Sequence, residues 1–249
     1  MITQYYRPQT LEEAQKLLFR PDTLPLGGGT MLIQQSDVSF SVVDLQALGL
    51  DKLRKSDGKL EIGATVTLQT LLESAHAPKA MKTALGLEAP LNLRNMGTVA
   101  GTLVTCDGRS PFGVVMLALD AECELAGNNP STFSLGNLLP IRDEYLHGKL
   151  ITKVKIPYNT KLAFETVART PADKPIVCAA LALWPSGRTR LALGGWGQAP
   201  TLAMDGNESG GVEEAAHNAF SEAADEWASA EYRSEVASVL AKRCLDDVM

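Results

Sequence analysis

Two glycine-centred turns, about seventy residues apart, constrain this chain more than anything else in it. The first runs Leu26-Gly27-Gly28-Gly29-Thr30-Met31-Leu32, and the second Arg94-Asn95-Met96-Gly97-Thr98-Val99-Ala100-Gly101-Thr102. Glycine has no Cβ and tolerates positive φ, so a ligand can lie directly against the backbone N–H groups of such a turn. Successive N–H groups form a concave nest that suits anions, phosphates above all. Two turns of this kind, brought together, would grip one diphosphate from opposite sides. Neither turn has the Gly-x-Gly-x-x-Gly spacing of a dinucleotide fold, and no Gly-x-x-x-x-Gly-Lys-Ser/Thr loop occurs anywhere.

The pattern around the turns predicts α+β structure. Thr10-Leu11-Glu12-Glu13 reads as a capping box, followed by Ala14, Leu17 and Leu18 on one helical face. Short strands at Thr23–Leu26 and Ser41–Leu45 make residues 1–50 a small β–α–β unit, its glycine turn at a strand end. A strand at Leu60–Ala64 precedes a helix that starts at Thr67, and a second helix covers residues 79–86. Pro90 breaks the chain before the second turn. A polar loop, Cys106–Ser110, leads to an apolar helix at Val114–Leu119, and strands follow at 121–126, 131–135 and 150–156. Beyond a boundary at Pro157–Thr160, three strands (Leu162–Ala168, Ile176–Leu183, Thr189–Leu193) form an antiparallel meander. The turns Pro171-Ala172-Asp173 and Pro185-Ser186-Gly187 separate them, and helices near 211–224 and 230–245 back the sheet. Tyr232, Val236, Val239 and Leu240 stand at helical spacing on the last helix.

The composition narrows the chemistry. A net charge of −6 with no Lys/Arg run argues against nucleic acid, and no apolar stretch is long enough to span a membrane. The N-terminus has no secretory pattern, and four scattered cysteines read as reduced thiols in a cytoplasmic protein. No Cys-x-x-Cys pair, ligand-spaced histidine or nucleophile–base pair occurs, so no metal ligand and no catalytic residue is assigned.

At the level of motifs the chain resembles the FAD-binding medium subunit of the molybdenum hydroxylases, the xanthine dehydrogenase and carbon monoxide dehydrogenase family. That family's Ala-Gly-Gly-Thr-Asp-Leu turn stands here as Gly27–Leu32. Its Ile-Arg-Asn-x-Gly-Thr-Ile-Gly-Gly-Asn signature stands as Leu93–Thr102, and its Leu-Ala-Leu-Asp-Ala as Leu117–Ala121, unchanged. Ile156-Pro157, Ile176-Val177, Leu193-Gly194-Gly195 and Ala230-Glu231-Tyr232-Arg233 complete the set in order. The resemblance implies a PCMH-type FAD-binding domain over residues 1–157, with subdomains of about 1–52 and 53–157. A carbon monoxide dehydrogenase flavoprotein-type C-terminal domain over 158–249, with its three-stranded sheet and helices, follows. It also implies FAD bound without a covalent link, its diphosphate held by Leu26, Gly27, Gly28, Gly29, Thr30, Met31 and Leu32 from the first turn. Thr98, Gly101, Thr102 and Thr105 would line the second turn, and Ile151 would make an adenine-side apolar contact.

By the same resemblance, electrons would come from two [2Fe–2S] clusters in a small partner subunit, fed by molybdopterin in a large one. They would leave to NAD⁺ or another acceptor, in a dimer of heterotrimers. The departures are Met31 for an acidic residue, Ala100 for glycine, Thr102 for asparagine, Pro111 for aspartate and Glu165 for a lysine near the flavin. Asp107, Arg109 and Lys174 are candidates to replace that lysine, and Arg109 is counted among the cofactor-binding residues. The residues themselves leave two other readings open: a stand-alone FAD oxidoreductase, and a structural subunit without flavin.

Overall fold

A computed structural model describes residues 1–32, 39–127, 130–170 and 172–249. In chain order the first elements are strand β1 (Ile2–Tyr6), helix α1 (Leu11–Leu18), strands β2 (Thr23–Leu26) and β3 (Phe40–Asp44), then strands β4 (Leu53–Ser56) and β5 (Lys59–Gly63). Helices α2 (Leu68–Glu73), α3 (Lys79–Glu88), α4 (Leu91–Met96), α5 (Val99–Thr105) and α6 (Pro111–Ala118) follow. Next come β6 (Glu122–Leu125), β7 (Ser131–Ser134), α7 (Leu135–Leu138), α8 (Arg142–Tyr145) and β8 (Ile151–Pro157). The chain ends with β9 (Lys161–Val167), β10 (Val177–Leu183), β11 (Thr189–Gly194), β12 (Thr201–Gly206), α9 (Val212–Ala219) and α10 (Ala230–Val248). The expected turn at Pro171 lies partly outside the described residues.

These elements form two compact units. The first comprises Met1–Leu71, Leu91–Thr105 and Glu122–Lys155. It contains a parallel three-stranded sheet, ordered β1-β3-β2, and a five-stranded sheet, ordered β4-β5-β8-β6-β7. The first half of the capping box forms as read, Glu13 N–H donating to Thr10 Oγ1, while the Glu13 carboxylate reaches one residue further back and accepts from Gln9 N–H. Ala14, Leu17 and Leu18 of α1 then bury against Val43, Leu45 and Leu150. Because β2 and β3 run parallel with Leu26 beside Asp44, the chain leaves β2 at the carboxyl end of the sheet. That end is where ligand-binding loops of parallel sheets sit.

The second unit comprises Leu72–Pro90, Cys106–Ala121 and Ile156–Met249. Its sheet is antiparallel, ordered β12-β11-β10-β9. The sheet thus has four strands where the alternation suggested three. The additional one, β12, is an edge strand of mixed burial, so it leaves little alternation to read. Every residue of α6 is buried, in keeping with a helix apolar on all sides, and it packs against α3, β10 and β11. Its N-terminus is closed by Ser110 Oγ, which accepts from Gly113 N–H at 2.9 Å and donates to Glu88 at 2.8 Å. Glu88 also accepts from Phe112 N–H. Ser110→Ala removes both bonds and should destabilise this unit by about 1–2 kcal/mol, read from urea unfolding.

Candidate functional site

Gly27, Gly28 and Gly29 follow β2 directly, and Gly29 takes φ of 71°, the left-handed region that glycine favours. The backbone N–H groups of these three residues donate to no other described residue. The glycines have a reason beyond ligand access. A Cβ on Gly28 would lie 1.7 Å from the Met96 carbonyl oxygen, and one on Gly27 would lie 2.7 Å from Thr98 Oγ1. The first turn therefore lies directly on the second.

The second turn is not the open nest its sequence suggests. Gly97 N–H donates to Leu93, Val99 N–H to Val66, Ala100 N–H to Ala64 and Thr102 N–H to Thr98, all to backbone carbonyls. Gly101 N–H donates to Thr98 Oγ1, so Thr98 caps α5, a helix where the sequence reads as a glycine-centred turn. With these N–H groups taken up, the turn presents hydroxyls instead. Thr102 Oγ1 bonds no described residue, Thr98 Oγ1 keeps its own hydrogen available, and Thr105 Oγ1 donates to the Gly101 carbonyl.

Both turns line a cavity of about 360 Å³ inside the first unit. Gly27–Leu32, Thr98, Gly101, Thr102, Thr105 and Ile151 all face it. Leu26 is the last residue of β2, where its carbonyl accepts Leu45 N–H, and it is not part of the lining. Arg109 belongs to the second unit. Its guanidinium donates to the carbonyls of Pro175 and Lys174 and lies 4.8 Å from the Trp227 ring centre. Lys174 pairs with Asp107 at 2.6 Å in the same unit.

The cavity also has a wall that the sequence did not announce: the segment from Arg142 to Leu150, which brings Arg142, Asp143, His147 and Lys149 to the lining. The backbone bonds Leu146 N–H to Arg142 and Lys149 N–H to Leu146 fold it into consecutive turns. Lys149 Nζ sits 3.1 Å from the centre of the Tyr145 ring, itself edge-on to Phe133. No motif marks this stretch; only the left-handed Gly148 punctuates it. Among the described residues there is no cluster of His, Cys, Asp or Glu able to hold a metal ion. The cavity therefore combines neutral donors from the glycine turns with Arg142 and Lys149, the charge of Arg142 being partly offset by Asp143 at 3.8 Å, a lining suited to a diphosphate-bearing ligand.

Residues 1–159 match the family described as the FAD binding domain in molybdopterin dehydrogenase. The chain belongs to that family. It is similar to protein YgfM of Escherichia coli K12, with 30% identity over 96% of this chain and 94% of the relative. It is also similar to the glyceraldehyde dehydrogenase medium chain of Sulfolobus acidocaldarius, with 28% identity over 81% of this chain and 78% of that one. Among solved structures, a chain of the Cu,Mo-CO dehydrogenase in its cyanide-inactivated form superposes with a TM-score of 0.82. It has 25% identity over 100% of this chain and 98% of its own. The α+β fold and the FAD-binding, oxidoreductase character of the chain follow from these likenesses. FAD fits the cavity by its chemistry, with unpaired N–H groups and hydroxyls for a diphosphate and apolar walls at Leu32, Val104 and Ile151. The volume is at the low end for small-molecule sites, room for part of a dinucleotide and not the whole. No helix among the described residues is long and apolar enough to cross a membrane.

Proposed function

We propose that this chain is the subunit through which a molybdenum hydroxylase complex discharges its electrons. It would receive them from the [2Fe–2S] clusters of a small partner subunit, and a large molybdopterin subunit would oxidise the substrate. The chain would then pass the electrons to NAD⁺ or another acceptor. One observation carries this reading: the unpaired N–H groups of Gly27–Gly29 and the unpaired Thr102 hydroxyl meet in a single cavity. When bound there, FAD supplies a group that takes up electrons singly and releases them in pairs.

The residues of this chain do the holding. Gly27, Gly28 and Gly29 would donate to one side of the diphosphate, and Thr98 and Thr102 to the other. Thr30, Met31, Leu32, Gly101, Thr105 and Ile151 would shape the walls, and Lys149 and Arg142 would balance the negative charge. The FAD-binding and C-terminal domains would divide at residue 157, and the complex would be a dimer of heterotrimers. Four cysteines, none in a disulfide, support a cytoplasmic setting.

The test is direct. The subunit purified with its partners should release one FAD per chain on acid denaturation; protein that releases no flavin would remove the reading. Thr102→Val should weaken FAD binding about tenfold, the worth of one hydrogen bond to a charged acceptor, and Thr102→Ser should restore it. Fluorescence titration of the apo-subunit reads both.

A further inference from the structure

The cavity belongs to the first unit alone: every residue that lines it falls within Met1–Leu71, Leu91–Thr105 or Glu122–Lys155. At about 360 Å³ it takes part of a dinucleotide, and its lining says which part. Beside the glycine turns stand Leu24, Leu45, Val104, Leu150 and Ile151, an apolar surface for a flat base. Leu45 and Leu150 are 6% and 2% exposed and pack with Ala14, Leu17 and Leu18 of α1, so this wall is preformed. Among the described residues, no Phe, Tyr or Trp lines the cavity. A redox ring has to reach both the donor and the acceptor of its electrons. The nucleoside half of FAD is a handle that takes no part in the transfer, so it can be held in a recess within one unit. The lining therefore fits the nucleoside half.

Because one unit supplies both the phosphate donors and the base wall, a ligand made only of those parts keeps every contact made there. The N–H groups of Gly27, Gly28 and Gly29 donate to no other described residue, and Thr102 Oγ1 is likewise unpaired. A free nucleoside diphosphate differs from the diphosphate of a dinucleotide by its terminal phosphate, which adds roughly one negative charge. Arg142 and Lys149 outweigh the one carboxylate of Asp143 in the lining, so the added charge meets attraction and not repulsion.

We propose that this cavity binds free nucleoside diphosphates in the cofactor's place, so that loading of the subunit with FAD is set by competition with them. The inference rests on the placement of FAD proposed above and adds a regulating ligand to it. FAD owes its extra affinity to the flavin half, so it wins at equal concentration. An excess of the nucleotide reverses the outcome by mass action. A subunit that meets such an excess before it meets FAD stays empty of flavin and passes no electrons.

The experiment titrates FAD into the full-length chain stripped of flavin, read by fluorescence, with and without ADP as the probe. The apparent Kd for FAD should rise about tenfold in about 5 mM ADP, with the same end point, and ADP alone should raise the melting temperature. FMN, which lacks the nucleoside, and pyrophosphate, which lacks the base, should each need about tenfold higher concentration for the same shift. Thr102→Val should weaken ADP and FAD by the same factor, since one diphosphate position serves both. An FAD titration unmoved by ADP would overturn the proposal. So would FMN or pyrophosphate as potent as ADP, or a Thr102→Val loss confined to FAD. Should the stripped chain not stay folded, dialysis of the holo-complex gives the same reading: ADP in the dialysate should deplete bound FAD, and FMN should not. One FAD released per chain with no response to ADP removes this proposal and leaves the function above standing; a complex that releases no flavin removes the function itself.

Discussion

Gly28→Val is expected to leave the purified subunit nearly without FAD. The valine Cβ would stand 1.7 Å from the Met96 carbonyl oxygen and 2.5 Å from its carbon. A backbone carbonyl tied into the α4–α5 junction cannot swing aside as a side chain can, so the first turn must withdraw from the second. Overpacking of this severity costs about 3 kcal/mol, roughly a hundredfold in cofactor affinity if the loss falls on binding. Gly101→Ala should be milder, about tenfold, because its Cβ would meet the Thr98 hydroxyl at 2.8 Å, and that side chain can rotate. Gly86→Ala, with nothing within 4 Å and a helical position, should keep all its FAD and melt slightly higher. The FAD-to-protein absorbance ratio ranks the three. A ranking in which Gly101→Ala loses more than Gly28→Val would show that the Met96 carbonyl does not set the spacing of the turns.

Arg233→Met should be the most destabilising single change in the second unit. The Arg233 side chain is fully buried on α10. Nε donates to the Ile176 carbonyl, Nη1 to the carbonyls of Ala223 and Ala228, and Nη2 to Asp225 at 2.7 Å. Methionine fills much of the volume but satisfies none of these acceptors. Breaking one side of a buried pair costs about 3–5 kcal/mol, so the melting temperature should fall on the order of 10 °C. The pH dependence should change as well. Burial pushes the Asp225 carboxyl up, but the Arg233 bond and the N–H groups of Trp227 and Ala228 outweigh it and hold it below the usual range. A carboxylate whose folded value is depressed contributes stability above its unfolded value, about 3.9, and loses that contribution as the pH falls through the folded value. Wild type should therefore lose stability on acidification below about pH 4, and Arg233→Met should lose less over the same range. Parallel slopes for the two proteins in urea titrations across that range would count against the pairing as its cause.

That arginine also marks a limit of sequence reading. Helical spacing groups Tyr232 with Val236, Val239 and Leu240, yet Tyr232 and Val239 are exposed while Leu240 and Arg233 are buried. A charged residue at that position becomes a core residue only because four acceptors outside the helix converge on it, Ala223, Asp225 and Ala228 from the segment just before α10 and Ile176 from far back in the chain, and none of them is visible from the helix alone. The β–α–β start was legible because a capping box, an amphipathic helix and short apolar strands agree with one another. Helices α4 and α5 were not, since segments of six and seven residues owe their helicity to tertiary ties and little to propensity. In the cavity, the glycines advertised both turns. What the glycines do was hidden, because the N–H groups of the second turn are taken up by Ala64, Val66 and the capping hydroxyl, a matter of pairing and not of composition. The wall from Arg142 to Leu150 carries no motif at all.

The neutral character of the first turn has a practical consequence. Gly27, Gly28 and Gly29 attract an anion through dipoles alone, with no cation among them, and any small oxyanion satisfies the same donors. Inorganic phosphate and sulfate would then act as rivals during purification. The subunit should keep its colour longer when stored in an amine buffer with chloride than in phosphate or ammonium sulfate.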